Sequence, residues 1–365
     1  VTTVAKRKTS IPFSLLYMVV ALGICAYFGP YLMTDEPPPG VLEFDNWFEH
    51  VKWRDVALTG IAAVTFRKWQ TRLPKVVTLP RLVKGSWMVP VGKTKAGKWL
   101  YHDFDGNLVH VKVSGTTGYG KSAFQQLCLY VLCNQQSKND LHVYIIDMKR
   151  GATFGYWYWV THVKGIYYEI NDAYQALCLL EDEMFRRLEQ IRIAKMTFSQ
   201  IPEYPKLLLV IDEGAELSPK DHIGDEKKIR QMCMQKLSSL ARLGREPNVR
   251  ILYGTQRPDA DTLPMTIRDQ MEGTYTFRVS ESYTSEIVLG RGNFAASELP
   301  NVRGRLIHKT PMGNIEAQAT YVDVRVINDW IRDMVPPEER LVDMVKTGGE
   351  TDLPLYIEAE PNVWR

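Results

Sequence analysis

The sequence predicts an α/β protein with a mainly parallel sheet built around a phosphate-binding loop, and three observations carry that prediction. Apolar runs at Leu141–Ile146, Leu207–Ile211 and Arg250–Gly254 lack the in-out alternation of half-exposed strands, as expected of strands covered on both faces. Helical stretches over 171–197 and 225–244 alternate with them, which is the pattern of a parallel sheet with crossover helices. A strand-like segment, His110–Val113, runs into a glycine-rich loop and then into a helical pattern.

Length and composition bound the rest. The chain has 365 residues, which at roughly 150 per domain suggests two or so folded units. Hydrophobic residues make up 45% and charged residues 24%, which excludes a disordered chain, a collagen-like chain and a polytopic membrane protein. The net charge of +3 is too mild to argue for nucleic acid by itself. Five cysteines (Cys25, Cys128, Cys133, Cys178, Cys233) form no CxxC pair, so a zinc ribbon or disulfide scaffold is not expected and a reducing compartment fits. The seven histidines are scattered and suggest no metal site.

At the N-terminus, Ile11–Met33 is 23 residues without a charge. A helix of that length reaches about 34 Å and spans a hydrocarbon core of about 30 Å. Lys6, Arg7 and Lys8 before it and Asp35 and Glu36 after it place the N-terminus in the cytoplasm by the positive-inside rule. A cleaved signal peptide is the alternative, but the stretch is long for one and cleavage would export a nucleotide site. A second crossing is then needed to bring the chain back, and Val56–Phe66, flanked by Trp53 and Trp69, is the candidate. Between Thr34 and His50 lie five acids (Asp35, Glu36, Glu43, Asp45, Glu49) and no Lys or Arg, whereas Arg67, Lys68, Arg72, Lys75, Arg81 and Lys84 follow Phe66. That asymmetry reads as an inside–outside–inside hairpin, with an amphipathic surface segment as the alternative for the second element. Residues 1–75 are therefore expected to be a membrane module with helices near 11–33 and 53–69, and 76–110 a small β-rich adaptor.

The glycine-rich loop reads Gly115-Thr116-Thr117-Gly118-Tyr119-Gly120-Lys121-Ser122, followed by Ala123 and apolar Phe124, Leu127, Cys128, Val131 and Leu132. This is GxxxxGK[ST] in the strand–loop–helix setting that gives it meaning. The glycines let backbone N–H groups converge on phosphates at a helix N-terminus. Residues 115–123 are thus expected to bind ATP, with Lys121 reaching the β- and γ-phosphates and the Ser122 hydroxyl ligating Mg²⁺.

The buried run Leu207–Ile211 ends in Asp212-Glu213. A strand-end carboxylate can hold the Mg²⁺ shell, which assigns Asp212, and the acid after it can orient the attacking water, which assigns Glu213. The strand Arg250–Gly254 ends in Thr255-Gln256-Arg257-Pro258, where Gln256 could sense the γ-phosphate.

These pieces resemble the FtsK/SpoIIIE family of RecA-like DNA translocases from about Val89 to about Ile327. The loop GTTGYGKS differs from that family's usual GTTGSGKS at Tyr119, and Val210–Leu217 resembles its VDEFADL with Gly214 in place of the aromatic. Ala241–Gly244, Tyr253–Pro258, Phe277–Ser280 and Leu299–Gly304 continue the similarity in order.

The resemblance implies a RecA-like P-loop motor over 111–330, usually a hexameric homo-oligomer, that hydrolyses ATP at subunit interfaces and moves double-stranded DNA. It also implies an arginine donated in trans. The segment Glu183–Arg187 is similar to the family's EMERR, which places the finger on Arg186 or Arg187, with Arg245, Arg268 and Arg291 as competitors. A motor that holds DNA without reading bases needs Lys and Arg on loops. Ser218–Arg230, with Lys220, Lys227 and Lys228, and Gly290–Arg303 are the candidates. The cluster Tyr156-Trp-Tyr-Trp159 could stack on bases, but packing or a subunit contact is the better expectation.

The tail 331–365 is too short for the winged helix of chromosome-segregating members, and one motor unit is fewer than export members carry. A membrane hairpin plus one motor unit looks like the TcpA-type coupling proteins of Gram-positive conjugative elements. Relaxase and type IV secretion channel proteins are then the expected partners. The rivals are a protein-export ATPase of the type VII secretion kind, a plasmid or phage DNA-partitioning translocase, and a recruiter whose nucleotide site only switches assembly.

Overall fold

Strand β7 (Lys206–Ile211) shows why the apolar runs lack alternation. Leu208 and Val210 face one apolar layer while Leu207, Leu209 and Ile211 face another, so both sides of the strand are dry. The computed structural model describes residues 73–256, 262–310 and 312–336. The expected membrane helices near 11–33 and 53–69 and most of the tail, 337–365, lie outside the described residues. Among the described residues no helix is long and apolar enough to cross a membrane.

The elements before the loop are β1 (Val77–Thr78), β2 (Met88–Thr94), β3 (Trp99–Asp103) and β4 (His110–Ser114). Helix α1 (Lys121–Gln135), β5 (Leu141–Ile146), β6 (Val163–Tyr167) and α2 (Ile170–Met196) precede β7. After it come α3 (Gly224–Leu243), β8 (Val249–Thr255), the single turn α4 (Met265–Arg268) and β9 (Gly273–Phe277). The described chain closes with α5 (Ser282–Leu289), β10 (Arg305–Thr310), β11 (Gly313–Tyr321) and α6 (Val324–Arg332).

Among the described residues all eleven strands join one sheet, ordered β3-β2-β11-β10-β9-β4-β8-β7-β5-β6, with β1 added alongside β11. The pairings from β9 through β4, β8, β7 and β5 to β6 are all parallel. From β9 outward the pairings β10, β11, β2 and β3 are antiparallel. One face of the parallel part is covered by α1 and α6, through Phe124, Leu127, Val131, Ile327 and Ile331. The other is covered by α2 and α3, through Leu177, Leu180, Met184, Leu237 and Leu240.

The segment 76–110, expected as an adaptor, contributes β1, β2 and β3 to this same sheet. Thr94 pairs with Ala317 and Gly92 with Ala319, so β2 covers the edge that β11 would otherwise expose. Gly92 allows the approach: a Cβ there would lie 2.4 Å from the carbonyl oxygen of Gln318.

Candidate functional site

Strand β4 lies between β8 and β9, so the loop leaving it emerges beside the ends of β8 and β7. Gly118 and Gly120 adopt φ of 85° and 126°, which L side chains rarely tolerate. Gly120 is the N-cap of α1 and supplies no capping side chain, and the first turn carries no acid. The helix start therefore presents unpaired N–H groups and its positive dipole end, a fit for an anion. Lys121 and Ser122 open the helix.

The acids meet them directly. Lys121 Nζ donates to the main-chain oxygen of Asp212 at 2.5 Å and to its Oδ1 at 2.8 Å. Ser122 Oγ donates to the same Oδ1 at 3.3 Å. A hydroxyl and a carboxylate side by side are hard oxygen donors of the kind Mg²⁺ takes, so this pair fits the expected cation. Burial alone would raise the Asp212 carboxyl's pKa, but Lys121 and then Lys149 outweigh it and hold the group below the usual carboxylate range.

Glu213 is buried beside it, with Oε2 3.9 Å from Lys121 Nζ. Its Oε1 accepts from the backbone N–H of Gln256 at 2.7 Å, and Thr117 Oγ1 donates to the side-chain Oε1 of Gln256 at 2.8 Å. Gln256 therefore joins the phosphate loop to the acid. The backbone permits this because β8 closes tightly on β7: a Cβ at Gly254 would lie 2.5 Å from the Asp212 main-chain oxygen.

Two residues of the site escaped the sequence reading. Lys149 Nζ sits 3.4 Å from Asp212 Oδ2 and 3.4 Å from Glu213 Oε2, and Thr153 Oγ1 donates to Asp212 Oδ2 at 3.3 Å. Both lie on the turn after β5, organised by buried Asp147. That carboxylate accepts from the N–H groups of Lys149 at 3.1 Å and Phe154 at 3.1 Å. Burial raises the Asp147 carboxyl's pKa. The sequence signal was the pair Asp147 and Lys149 at a strand end adjacent to that of Asp212, which a lone strand reading does not reveal.

Beside Ser122 a cavity of about 300 Å³ opens between Ala123 and Gln126 of α1, Thr153 and Tyr156, and Val324 and Asn328 of α6. Of the aromatic cluster, Trp157 is buried against Trp330, while Tyr156 stands exposed at the cavity.

The paired arginines on α2 separate. Arg187 is fully buried, donating to Glu183 Oε1 at 2.6 Å and to the carbonyls of Pro205 and Pro247 at 2.8 and 2.9 Å. This corrects its expected role as a donated arginine, because its guanidinium is spent inside its own subunit, tying α2 to the starts of β7 and β8. Arg186 is partly exposed and held by both oxygens of Glu183 at 2.6 Å. In the lysine-rich stretch, Arg230 is likewise turned inward onto Glu226 at 2.7 Å, whereas Lys227 is exposed. Arg291 and Arg303 are exposed in the other candidate loop.

Tyr119 and Gly214, the two departures from the family motifs, both have partners. Tyr119 lies over the segment before β10, and its main-chain oxygen accepts from Gly304 N–H at 2.9 Å. At Gly214 a Cβ would lie 1.9 Å from Cζ of Tyr253, whose ring fills that space.

Known proteins share parts of this chain's sequence and fold. The FtsK/SpoIIIE family model matches residues 81–200, the stretch that carries the phosphate loop and the Lys149 turn. Over these residues the chain is similar to the FtsK/SpoIIIE family. Beyond it, protein Tra of Streptomyces lividans is 25% identical over 256 residues, covering 66% of this chain and 39% of that protein. DNA translocase FtsK of Chlamydia pneumoniae is 23% identical over 263 residues, covering 67% and 31%. The ESX secretion system protein EccC of Thermomonospora curvata is 26% identical over 248 residues, covering 62% and 18%. The chain thus spans well under half the length of these curated relatives. Among solved structures, the pCW3 conjugation coupling protein TcpA, in a monomer form with ATPγS, aligns with a TM-score of 0.63 and 26% identity. That alignment covers 73% of this chain and 75% of TcpA. The cytoplasmic domain of the T. curvata type VII secretion ATPase EccC shares the fold at a TM-score of 0.55 and 23% identity, over 33% of its own length.

Proposed function

We propose that this FtsK/SpoIIIE-type chain is an ATP-driven translocase of double-stranded DNA, membrane-anchored, that delivers DNA to a conjugative secretion channel. The observation that carries the ATPase part is the joined set Lys121–Asp212–Glu213–Gln256–Thr117, in which phosphate loop, cation ligand and water-orienting acid already touch. The coupling-protein part is supported by the near-equal coverage of this chain and TcpA, 73% and 75%. Membrane anchoring rests on the apolar stretch 11–33. Assembly into a ring, a relaxase partner and channel proteins belong to the same reading.

In this mechanism the N–H groups at the start of α1 and Lys121 hold the triphosphate. The cavity beside Ala123 and Tyr156 seats the base, since it begins where the helix start ends and offers an aromatic face and the Asn328 amide. Ser122 and Asp212 would hold Mg²⁺, which would supply charge neutralisation on the phosphoryl oxygens. Glu213 accepts a proton from the attacking water and orients it, with Gln256 N–H fixing its other oxygen. Arg186 on an adjoining subunit supplies the remaining cation. Loop movement at Ser218–Arg230 or Gly290–Arg303 passes the cycle to DNA.

ATP turnover of the full chain, with and without double-stranded DNA, tests the reading. Stimulation by DNA, lost by about 10²-fold or more in Glu213→Gln, is expected. Turnover of an assembled ring that is indifferent to DNA overturns it. The EccC similarity would then make polypeptide export the leading reading.

A further inference from the structure

We infer that Lys149 is a second cationic ligand of the triphosphate, parked on the two acids until the γ-phosphate arrives. The inference rests on the nucleotide-site reading above and deepens it.

The resting site sets two ammonium groups against two buried carboxylates. Lys121 takes Asp212 Oδ1 at 2.8 Å, while Lys149 spans Asp212 Oδ2 and Glu213 Oε2 at 3.4 Å each. Removing either cation would leave two buried carboxylates sharing one ammonium group, which is expensive in a dry site. The two lysines are not equally fixed. Lys121 is 4% exposed and also bound to a main-chain oxygen, whereas the Lys149 side chain is 33% exposed and its contacts exceed the 2.7–2.9 Å of a good charge-assisted bond. Its backbone, in contrast, is anchored through the Asp147 carboxylate. Lys149 is therefore a pivoting head on a fixed base, across Asp212 from Lys121.

A triphosphate entering along the α1 N-terminus brings its terminal oxygens toward Asp212 and Glu213. Lys149 then exchanges a carboxylate at 3.4 Å for a phosphoryl oxygen, and Glu213 Oε2 is released to face water. Oε1 stays on Gln256 N–H. A diphosphate offers no such oxygen, so the lysine remains on Glu213 and masks it. The same side chain thus reads the third phosphate and releases the acid that acts on it.

The test is the affinity of the full chain for Mg-ATPγS and Mg-ADP, in wild type, Lys149→Ala, Lys149→Gln and Lys149→Arg. Steady-state kcat is measured alongside, with Lys121→Ala as control. Lys149→Ala and Lys149→Gln are expected to weaken ATPγS about tenfold or more and ADP less than twofold, and to lower kcat. Lys149→Arg is expected to regain part of the ATPγS affinity. Equal weakening for both nucleotides assigns a structural role and overturns the inference, as does wild-type ATPγS affinity in Lys149→Ala. If wild type binds neither nucleotide, or Lys121→Ala binds as wild type does, the nucleotide-site reading itself fails and takes this inference with it.

Discussion

The hydroxyl of Tyr119 donates to Oδ1 of Asn301 at 3.1 Å, so the phosphate loop is bonded to a segment more than 180 residues away. The main chain repeats the link through Gly304 N–H and the Tyr119 oxygen. Tyr119→Phe removes the side-chain bond alone. An exposed bond of this kind contributes about 0.5–1 kcal/mol. The expected result is a small loss in urea stability with faster hydrogen exchange confined to residues 299–304. Unchanged exchange there would show that the main-chain bond suffices.

Gly214 and Tyr253 should behave as one unit. Gly214→Ala places a methyl group inside the Tyr253 ring volume, an overpacking expected to cost about 3 kcal/mol. Tyr253→Val should be milder alone and should rescue Gly214→Ala. A double-mutant cycle by denaturant unfolding measures the coupling, and additive effects would contradict the contact.

The two arginines of α2 should part in opposite ways. Arg187→Ala breaks the buried half of the Glu183 pair and takes a donor from the carbonyls of Pro205 and Pro247, and is expected to cost about 3–5 kcal/mol. Arg186→Ala, at a half-exposed pair, is expected to cost under about 1 kcal/mol. Thermal unfolding reads the first effect. On the proposed mechanism Arg186→Ala lowers turnover of assembled protein, and mixing it with Glu213→Gln shows whether the arginine acts across subunits.

Acid should destabilise the fold through buried histidines. Burial pushes His102 and His110 down to about 3, with His308 and Arg250 respectively adding to the effect. Both stay neutral in the fold yet protonate in the unfolded chain below about 6.5, so stability falls as pH drops from about 6.5 toward 3. Each contributes a loss of about 1.4 kcal/mol per pH unit across that window. Urea midpoints at pH 7 and pH 5 should fall accordingly, and His110→Gln should flatten the slope relative to wild type.

What the sequence made legible was what local pattern controls. The phosphate loop, the strand ends at Asp212 and Gln256, and the helices over 171–197 and 225–244 follow from period, glycine placement and apolar runs. The observed helices, Ile170–Met196 and Gly224–Leu243, begin and end within a residue of those bounds. Lys149 was hidden because a lysine after a strand is ordinarily solvated, and its value here comes from β5 lying against β7, a pairing between distant segments. The merging of 76–110 into the main sheet depends in the same way on β2 meeting β11. Arg187 was within reach. The buried positions Ala173, Ala176, Leu177, Leu180, Met184, Arg187 and Ile191 share one helical stripe, on which an arginine must be a satisfied strut.

The tight fit of Tyr253 over Gly214 also makes the two positions share one volume. A Cβ at position 214 would lie 1.9 Å from Tyr253 Cζ, so the space beneath the Asp212–Glu213 strand end is filled from the neighbouring strand and cannot be filled twice. A bulky side chain at position 214 and a small one at position 253 are therefore a single exchange, and either half of it alone overfills or empties the same space.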